Sequence, residues 1–153
     1  MNPAFSILII NYNGAKHLGP CLAALEVQTL PRYQYEVIVL DNASPDGSAS
    51  LVENEYPHVR LIRSASNLGF AEGNNVAKSY ARGEWLVLLN NDTIPDPHWL
   101  AEMQREVISN TANGVERIVS KLVLGPDGKS INSGGVVLLR SGWAADEGVP
   151  TGG

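Results

Sequence analysis

An aspartate flanked by two amides and a hydroxyl, Asn90-Asn91-Asp92-Thr93, follows directly on the apolar run at residues 85–89. A carboxylate there, with water and phosphate oxygens completing the shell, is a common way to hold Mg²⁺ or Mn²⁺, hard ions that keep few protein ligands. Such an ion neutralises a diphosphate and stabilises it as a leaving group. Asp41 is a second carboxylate of this kind, ending the run "YEVIVLD" and followed by Asn42 and Ser44. Asn11, Tyr12 and Asn13 close the run "FSILII", and Asn67 and Gly69 follow a third apolar segment. A plainer reading of Asn90, Asn91 and Thr93 is capping of the helix they approach. Asp46, in a "PDG" turn, reads equally well as a turn former that accepts backbone hydrogen bonds.

The elements that must position these residues alternate along the chain. Residues 5–11 form a short Ile-rich run without polar alternation, as in a parallel strand covered on both sides. Leu18, Cys21, Leu22 and Leu25 make the stripe of an amphipathic helix over residues 17–28, and Pro31 follows its end. Residues 35–41 are the second strand. A short helix is predicted around residues 51–56, with Ser48 as its N-cap. Residues 59–63 read as a third strand, residues 70–81 as a helix closed by Gly83, and residues 85–89 as the fourth strand. Asp96-Pro97 resembles an N-cap with proline at the first helical position, before a stripe of Leu100, Met103, Val107 and Ile108. "RIVSKLVLG" and "GGVVLLR" suggest two more strands around a "PDGK" turn, and the tail "SGWAADEGVPTGG" has loop composition.

Four β-then-α steps with short connections specify an α/β fold, a Rossmann-like, doubly wound, mostly parallel sheet with helices on both faces. In such sheets ligands lie outside the carboxyl ends of the strands, where the unusual polar residues all fall.

Bulk properties narrow the function. At 153 residues, with 44% hydrophobic and 18% charged residues, the chain has globular composition and one domain's length. A formal net charge of −5 without a basic cluster argues against a nucleic-acid partner. No apolar run reaches the ~20 residues of a membrane span and the start lacks the pattern of a signal peptide, so the expected location is cytoplasmic. Attachment to the inner membrane face stays open for a lipid-linked acceptor, although no basic amphipathic helix argues for it. Cys21, the one cysteine, falls on a helical stripe and reads as core. His17, His58 and His98 are scattered and read as surface residues, with no zinc-like spacing. The first loop, "NYNGAKHLG", carries neither the dinucleotide-binding glycine fingerprint nor a phosphate-loop motif.

"SILIINYNG", "VIVLDNASPDGS", "NLGFAEGNN" and "LLNNDTIPDPHWL", in that order and without large gaps, resemble the successive motifs of family 2 glycosyltransferases of the GT-A fold. The resemblance runs over about residues 6–103 and is nearest to the bacterial rhamnosyltransferase-like branch. It implies a nucleotide-diphosphate sugar as donor, dTDP- or UDP-linked, a glycan or lipid-linked acceptor, and a role in cell-wall or polysaccharide biosynthesis. Ile10, Asn11, Tyr12 and Asn13 would flank the base together with the "DNAS" segment, whose Ser44 belongs to the nucleotide site. Asp41 or Asn42 would read the edge of the base. Asn42 stands where many relatives carry a second acid. The segment with Asn67, Gly69 and Asn74 would form the pocket wall, Gly69 allowing close backbone approach and the helix N-terminus favouring phosphate. Asn90, Asn91 and Asp92 would be the counterpart of the family's D-x-D motif. Asn90 would then contact the ribose and Asp92 would be the metal ligand, for Mg²⁺ or Mn²⁺.

By the same resemblance, residues 1–124 are expected to bind the nucleotide sugar and residues 125–153 to begin the acceptor side. In relatives the general base belongs to a second half of the domain, often within an "ED"-type motif. That base is therefore expected beyond Gly153, and no catalytic residue is assigned within the chain. Asp146 and Glu147 are the late adjacent acids, set in a glycine-rich tail that reads as solvated loop. The chain thus resembles the donor-binding part of a longer enzyme. An edge left open would favour self-association, and a monodisperse monomer in light scattering would count against that. Two other readings stand beside the transferase. One is a binding-only remnant without the base. The other is a sugar-nucleotide pyrophosphorylase, which would usually carry a Gly-rich basic loop after the first strand, where only Lys16 is found.

Overall fold

Ile7, Leu8 and Ile9 are all at least 99% buried, although successive residues of a strand point to opposite sides. Only a sheet covered on both faces buries all three. The computed structural model describes residues 1–111 and the strands Arg117–Val119, Leu122–Leu124, Ser130–Asn132 and Val137–Arg140. In chain order the strands are β1 (Phe5–Asn11), β2 (Tyr35–Asp41), β3 (Arg60–Arg63), β4 (Trp85–Leu88) and the four just named, β5 to β8. The helices are α1 (Ala15–Glu26), α2 (Ser48–Glu55), α3 (Gly69–Lys78) and α4 (Trp99–Thr111).

The main sheet runs β3-β2-β1-β4-β8-β5. β1 pairs in parallel with β2 and β4, and β2 with β3. Odd-numbered residues of β1, with Val37, Val39, Trp85 and Val87, pack under Leu18, Leu22, Val52, Leu100 and Met103 of α1, α2 and α4. The even-numbered Leu8, with Ile38, Leu40 and Leu86, packs under Ala77 of α3. Each fully buried Leu or Ile side chain contributes about 1.5–3 kcal/mol. This is the doubly wound α/β fold expected from the sequence.

Several local expectations need correction. β8 is antiparallel to both β4 and β5 and lies between them. A strand that returns without a helical crossover enters in that sense. The run read as one strand holds two, β5 and β6, and β6 pairs antiparallel with β7 in a separate two-stranded sheet. The "PDGK" turn and the tail through Gly153, with Asp146 and Glu147, lie outside the described residues. Ser48 is not the N-cap of α2. That position is Gly47, at φ 82°, and the Asp46 carboxylate accepts the Ser48 amide instead. Ile108 is 72% exposed, because α4 turns it away from the stripe of Leu100 and Met103. Asp96 stands three residues before α4 and accepts the His98 amide at 2.8 Å, so Pro97 falls in the turn that leads into the helix and not at its first position.

The amino ends of the strands are tied by a polar network that sequence reading missed. Glu36 accepts the Ser6 hydroxyl (2.6 Å), the Arg82 amide (2.6 Å) and the Arg82 guanidinium (3.0 Å). Partial burial alone would raise the Glu36 carboxyl, but these donors outweigh it and hold the pKa below the usual glutamate range. Such a group stabilises fully above the unfolded carboxyl pKa, and its contribution is lost as pH falls through the lower folded value. Glu36→Gln should therefore lower stability at pH 7 by about 1 kcal/mol. The gap to the parent protein should close towards pH 3, as read from urea midpoints across pH.

Candidate functional site

β1 and β2 end in register, with Asn11 opposite Asp41, and the Asn42 amide continues the ladder to the Asn11 carbonyl at 2.8 Å. The chain runs outward from β1 to β3 and returns on the other side as β4, so the sheet order reverses between β1 and β4. Just outside the carboxyl ends at that reversal lies an open cleft of ≈ 390 Å³, the place where doubly wound sheets take ligands. Ile10, Tyr12, Asn42, Asn67, Gly69, Phe70, Asn90, Asn91 and Asp92 line it. A larger hollow of ≈ 630 Å³ opens at the opposite rim around Pro3, Tyr33, Arg82 and Gly83. It lies at the amino ends of the strands and gathers none of the strand-end polar residues.

The polar residues divide into a cleft surface and a buried support. Asn11 is fully buried. Its Nδ2 donates to Asp41 Oδ1 (3.0 Å), Ser48 Oγ (2.8 Å) and, at 3.3 Å, Ser44 Oγ, while its Oδ1 accepts from Asn91 Nδ2 at 2.9 Å. Asp41, 3% exposed, also accepts the Ser44 amide. Asn11 and Asp41 thus stand behind the cleft and do not line it. Ser44 is half-buried and accepts the Asn13 amide at 3.0 Å. Asn13 is exposed and lies outside the cleft lining. Asn42 forms part of the cleft wall, and its side chain bridges to α3, accepting the Leu68 amide and donating to the Gly69 carbonyl. Asn74 sits a turn further along α3, outside the lining, with Nδ2 on the Phe70 carbonyl.

Local backbone follows from these bonds. Asn13 (φ 51°) and Ala43 (φ 61°) adopt left-handed conformations. That costs an alanine about 1–2 kcal/mol, offset here by the surrounding hydrogen bonds. Nothing in the sequence marks Ala43 for it. Gly73 lets α3 approach β1 and β2, since a Cβ there would lie 3.1 Å from Ile10 Cγ2 and 3.4 Å from Asn42 Nδ2. Asp46 serves as a turn former, accepting the Ala15 amide at the start of α1 and the Ser48 hydroxyl, and these bonds, the Ser48 hydroxyl foremost, depress its carboxyl pKa.

Asn90 to Thr93 form a turn closed by the Thr93 amide on the Asn90 carbonyl at 3.2 Å. Asn91 and Asp92 take its central positions, with Asp92 exposed to the cleft. Beneath it, Cys21 is fully buried with Sγ 3.9 Å from the Asn90 carbonyl. Burial, and secondarily the Asp92 charge, push its pKa up to about 12, which leaves an inert core thiol. Among the described residues no three His, Cys, Asp or Glu cluster as a metal cage. Among them, too, Asp92 is the one carboxylate in the cleft lining. One exposed carboxylate beside an open cleft fits a hard divalent ion that takes its other ligands from water and a ligand's oxygens. The general base expected beyond Gly153 has no counterpart among the described residues of the cleft.

Phe70, inside the "NLGFAEGNN" segment expected to form the pocket wall but not singled out there, lines the cleft at 57% exposure. It shares a helical stripe with the buried Gly73 and Ala77. Periodicity would place it in the core, and the one available signal was an aromatic immediately after Gly69. No helix among the described residues is long and apolar enough to cross a membrane.

Comparison with known proteins agrees with this geometry. The chain is 29% identical to the glycosyltransferase AglE of Haloferax volcanii over 119 residues, 76% of this chain and 38% of the relative. Its fold superposes on the mannosyltransferase PcManGT of Pyrobaculum calidifontis, solved with GDP-Man and Mn²⁺, with a TM-score of 0.75 at 24% identity, covering 92% of this chain and 45% of that one. The superposition on S. aureus TarS residues 1–349 in complex with UDP has a TM-score of 0.67 at 23% identity, covering 80% and 35%. The chain therefore spans less than half the length of each of these proteins. The family described as "Glycosyl transferase family 2" matches residues 6–143, which take in all four strand ends of the cleft. With sheet order, cleft position and strand-end residues in agreement, the chain belongs to glycosyl transferase family 2.

Proposed function

We propose that this chain is the donor-binding part of a glycosyltransferase that moves a sugar from a nucleoside diphosphate to an acceptor hydroxyl with inversion at the anomeric carbon. The observation that carries the reading is the cleft at the β1/β4 reversal, where Tyr12, Asn42, Gly69 and Asp92, from four different strand ends, face one space. Tyr12 and Phe70, about half exposed, offer aromatic surface to a base, and Asn42, whose amide holds Leu68 and Gly69, would stand at the base edge. Asn90 would meet the ribose. Asn67 and Gly69 bring backbone close to the donor. Asp92 would hold a divalent cation, Mg²⁺ or Mn²⁺, which when bound neutralises charge on the diphosphate. Asn11, Asp41 and Ser44 act from behind by fixing the strand ends. Residues 1–124 carry the donor site, and residues 125–153 begin the acceptor side.

The acceptor's proton needs a general base in such a displacement. Asp92 is the one carboxylate lining the cleft among the described residues, and it is assigned to the cation. None of the described residues of the cleft is assigned as that base. This favours a second reading, in which this chain alone binds donor without transferring sugar. Resemblance to the rhamnosyltransferase-like branch favours a dTDP-sugar and a glycan or lipid-linked acceptor of cell-wall or polysaccharide synthesis. The related folds solved with UDP and GDP-Man leave uridine and guanosine donors in play.

Calorimetric titration of the purified chain with UDP, dTDP and GDP, each with and without Mn²⁺, tests the proposal. Saturable, Mn²⁺-enhanced binding of at least one is the expected result. Absence of binding for all three would overturn it. Release of free sugar or transfer from the matching donor would separate the catalytic reading from the binding-only one.

A further inference from the structure

Among the described residues, no side-chain bond fixes Asp92, which is exposed at the centre of a two-residue turn. Its neighbour Asn91 has one. Asn91 Nδ2 donates at 2.9 Å to Asn11 Oδ1, and Asn11 is the most tightly held polar side chain of the site, fully buried and bonded to β2 through Asp41 and to α2 through Ser48. The turn is otherwise tied by backbone bonds at its ends, Leu89 to Leu8 at 3.0 Å and Thr93 to Asn90 at 3.2 Å, and by the long Cys21 contact. Space for the Asn91–Asn11 bond comes from Gly14, at the start of α1. A Cβ on Gly14 would fall inside van der Waals contact of both Asn11 Oδ1 and Asn91 Nδ2. Gly14 has φ −100°, open to any residue, so steric room and not backbone conformation requires glycine there.

We propose that Asn91, anchored to Asn11 in the space left by Gly14, is a positioning residue that sets the Asp92 carboxylate for its cation. This rests on the donor-site reading given above. A carboxylate on a free turn would sample many orientations, and ordering it on binding would weaken cation affinity. With Asn91 pinned, Asp92 is the adjacent residue of a turn tied to three elements, β1, β2 and α2. The support acts on the cation and leaves the base pocket alone, because Asn91 bonds to Asn11, while Asn42 is held separately by Leu68 and Gly69. Removing a group that orients a metal ligand typically lowers metal affinity about 10- to 100-fold.

The test compares the full chain with Asn91→Ala and Gly14→Ala, titrating the nucleotide bound by the parent chain with and without Mn²⁺, and recording thermal unfolding. The Mn²⁺ concentration needed for half enhancement should rise about tenfold or more, a larger factor than any loss of nucleotide affinity without Mn²⁺. Asn91→Ala truncates a partly exposed side chain and keeps the fold, so it decides the matter even if Gly14→Ala folds poorly. Unchanged Mn²⁺ dependence in Asn91→Ala, with the parent chain responding, overturns the positioning role and leaves the donor site standing. Equal loss of affinity with and without Mn²⁺ also overturns it, showing a contact to the nucleotide itself. A parent chain without Mn²⁺-dependent binding overturns the donor-site reading, and this inference with it.

Discussion

An Asp92→Ala chain is expected to bind UDP or dTDP no more tightly with Mn²⁺ than without it, while the parent chain gains at least tenfold from the metal. The reason is the donor set. Among the described residues Asp92 is the one carboxylate lining the cleft, and no cluster of three ligating side chains there could replace it. Asn90 and Asn91 are neutral, and Asn91 commits its amide to Asn11. Without Asp92 the cation would keep the diphosphate and water but lose its anionic protein ligand, so it would no longer tie the nucleotide to the chain. Folding should be spared, since Asp92 is exposed and caps nothing. Calorimetry in the presence and absence of Mn²⁺, with thermal unfolding alongside, checks both halves. Retained metal enhancement in the variant would move the cation to another ligand and sink the assignment.

Gly83→Ala is expected to destabilise the fold by about 3 kcal/mol, near the upper end for overpacking a tight site. A Cβ at Gly83 would lie 2.5 Å from the Ser6 amide nitrogen and 2.7 Å from the Phe5 carbonyl carbon. Both are backbone atoms of the central strand and cannot step aside as a side-chain tip can. Relief requires moving the α3–β4 connection off β1, and that strains the Gly83 amide bond to Ser6 Oγ (2.8 Å) and, with it, the Ser6 and Arg82 donors on Glu36. For a domain of about 150 residues the loss corresponds to roughly a 10 °C fall in Tm. Nucleotide binding in the folded fraction should persist, because Gly83 precedes β4 at the rim opposite Asp92. Gly14→Ala gives a different profile. There the atoms that must yield are Asn11 Oδ1 and Asn91 Nδ2 at the cleft, so binding and stability should suffer together. A Tm within 2 °C of the parent chain would show that the α3–β4 connection adjusts at little cost.

Much of the fold was legible in the residues. Uninterrupted apolar runs in β1, β2 and β4 meant a sheet covered on both faces, and the stripe of Leu18, Cys21, Leu22 and Leu25 meant a helix to cover one of them. Polar residues at each strand end then marked the rim. The chain past Thr111 was less legible. An apolar run there does not say which strand it pairs with, and β8 enters between β4 and β5 by a pairing among residues far apart in the chain.

Sequence by itself determined the fold class, the rim that carries the site and the residue types present there, because burial periodicity and strand-end chemistry are local properties. Tertiary structure alone decided which of those residues face the cleft. Asn11 and Asp41 read as contact residues beside Tyr12 and Asn42, yet they are withdrawn behind the cleft and bonded across three elements. Phe70 was not singled out within its wall segment, yet its half-exposed ring lines the cleft. Gly14 and Gly83 look alike in the sequence, but one makes room for a side-chain bond and the other for a neighbouring strand. These distinctions depend on which atoms converge in space from distant parts of the chain, and no local pattern encodes that convergence.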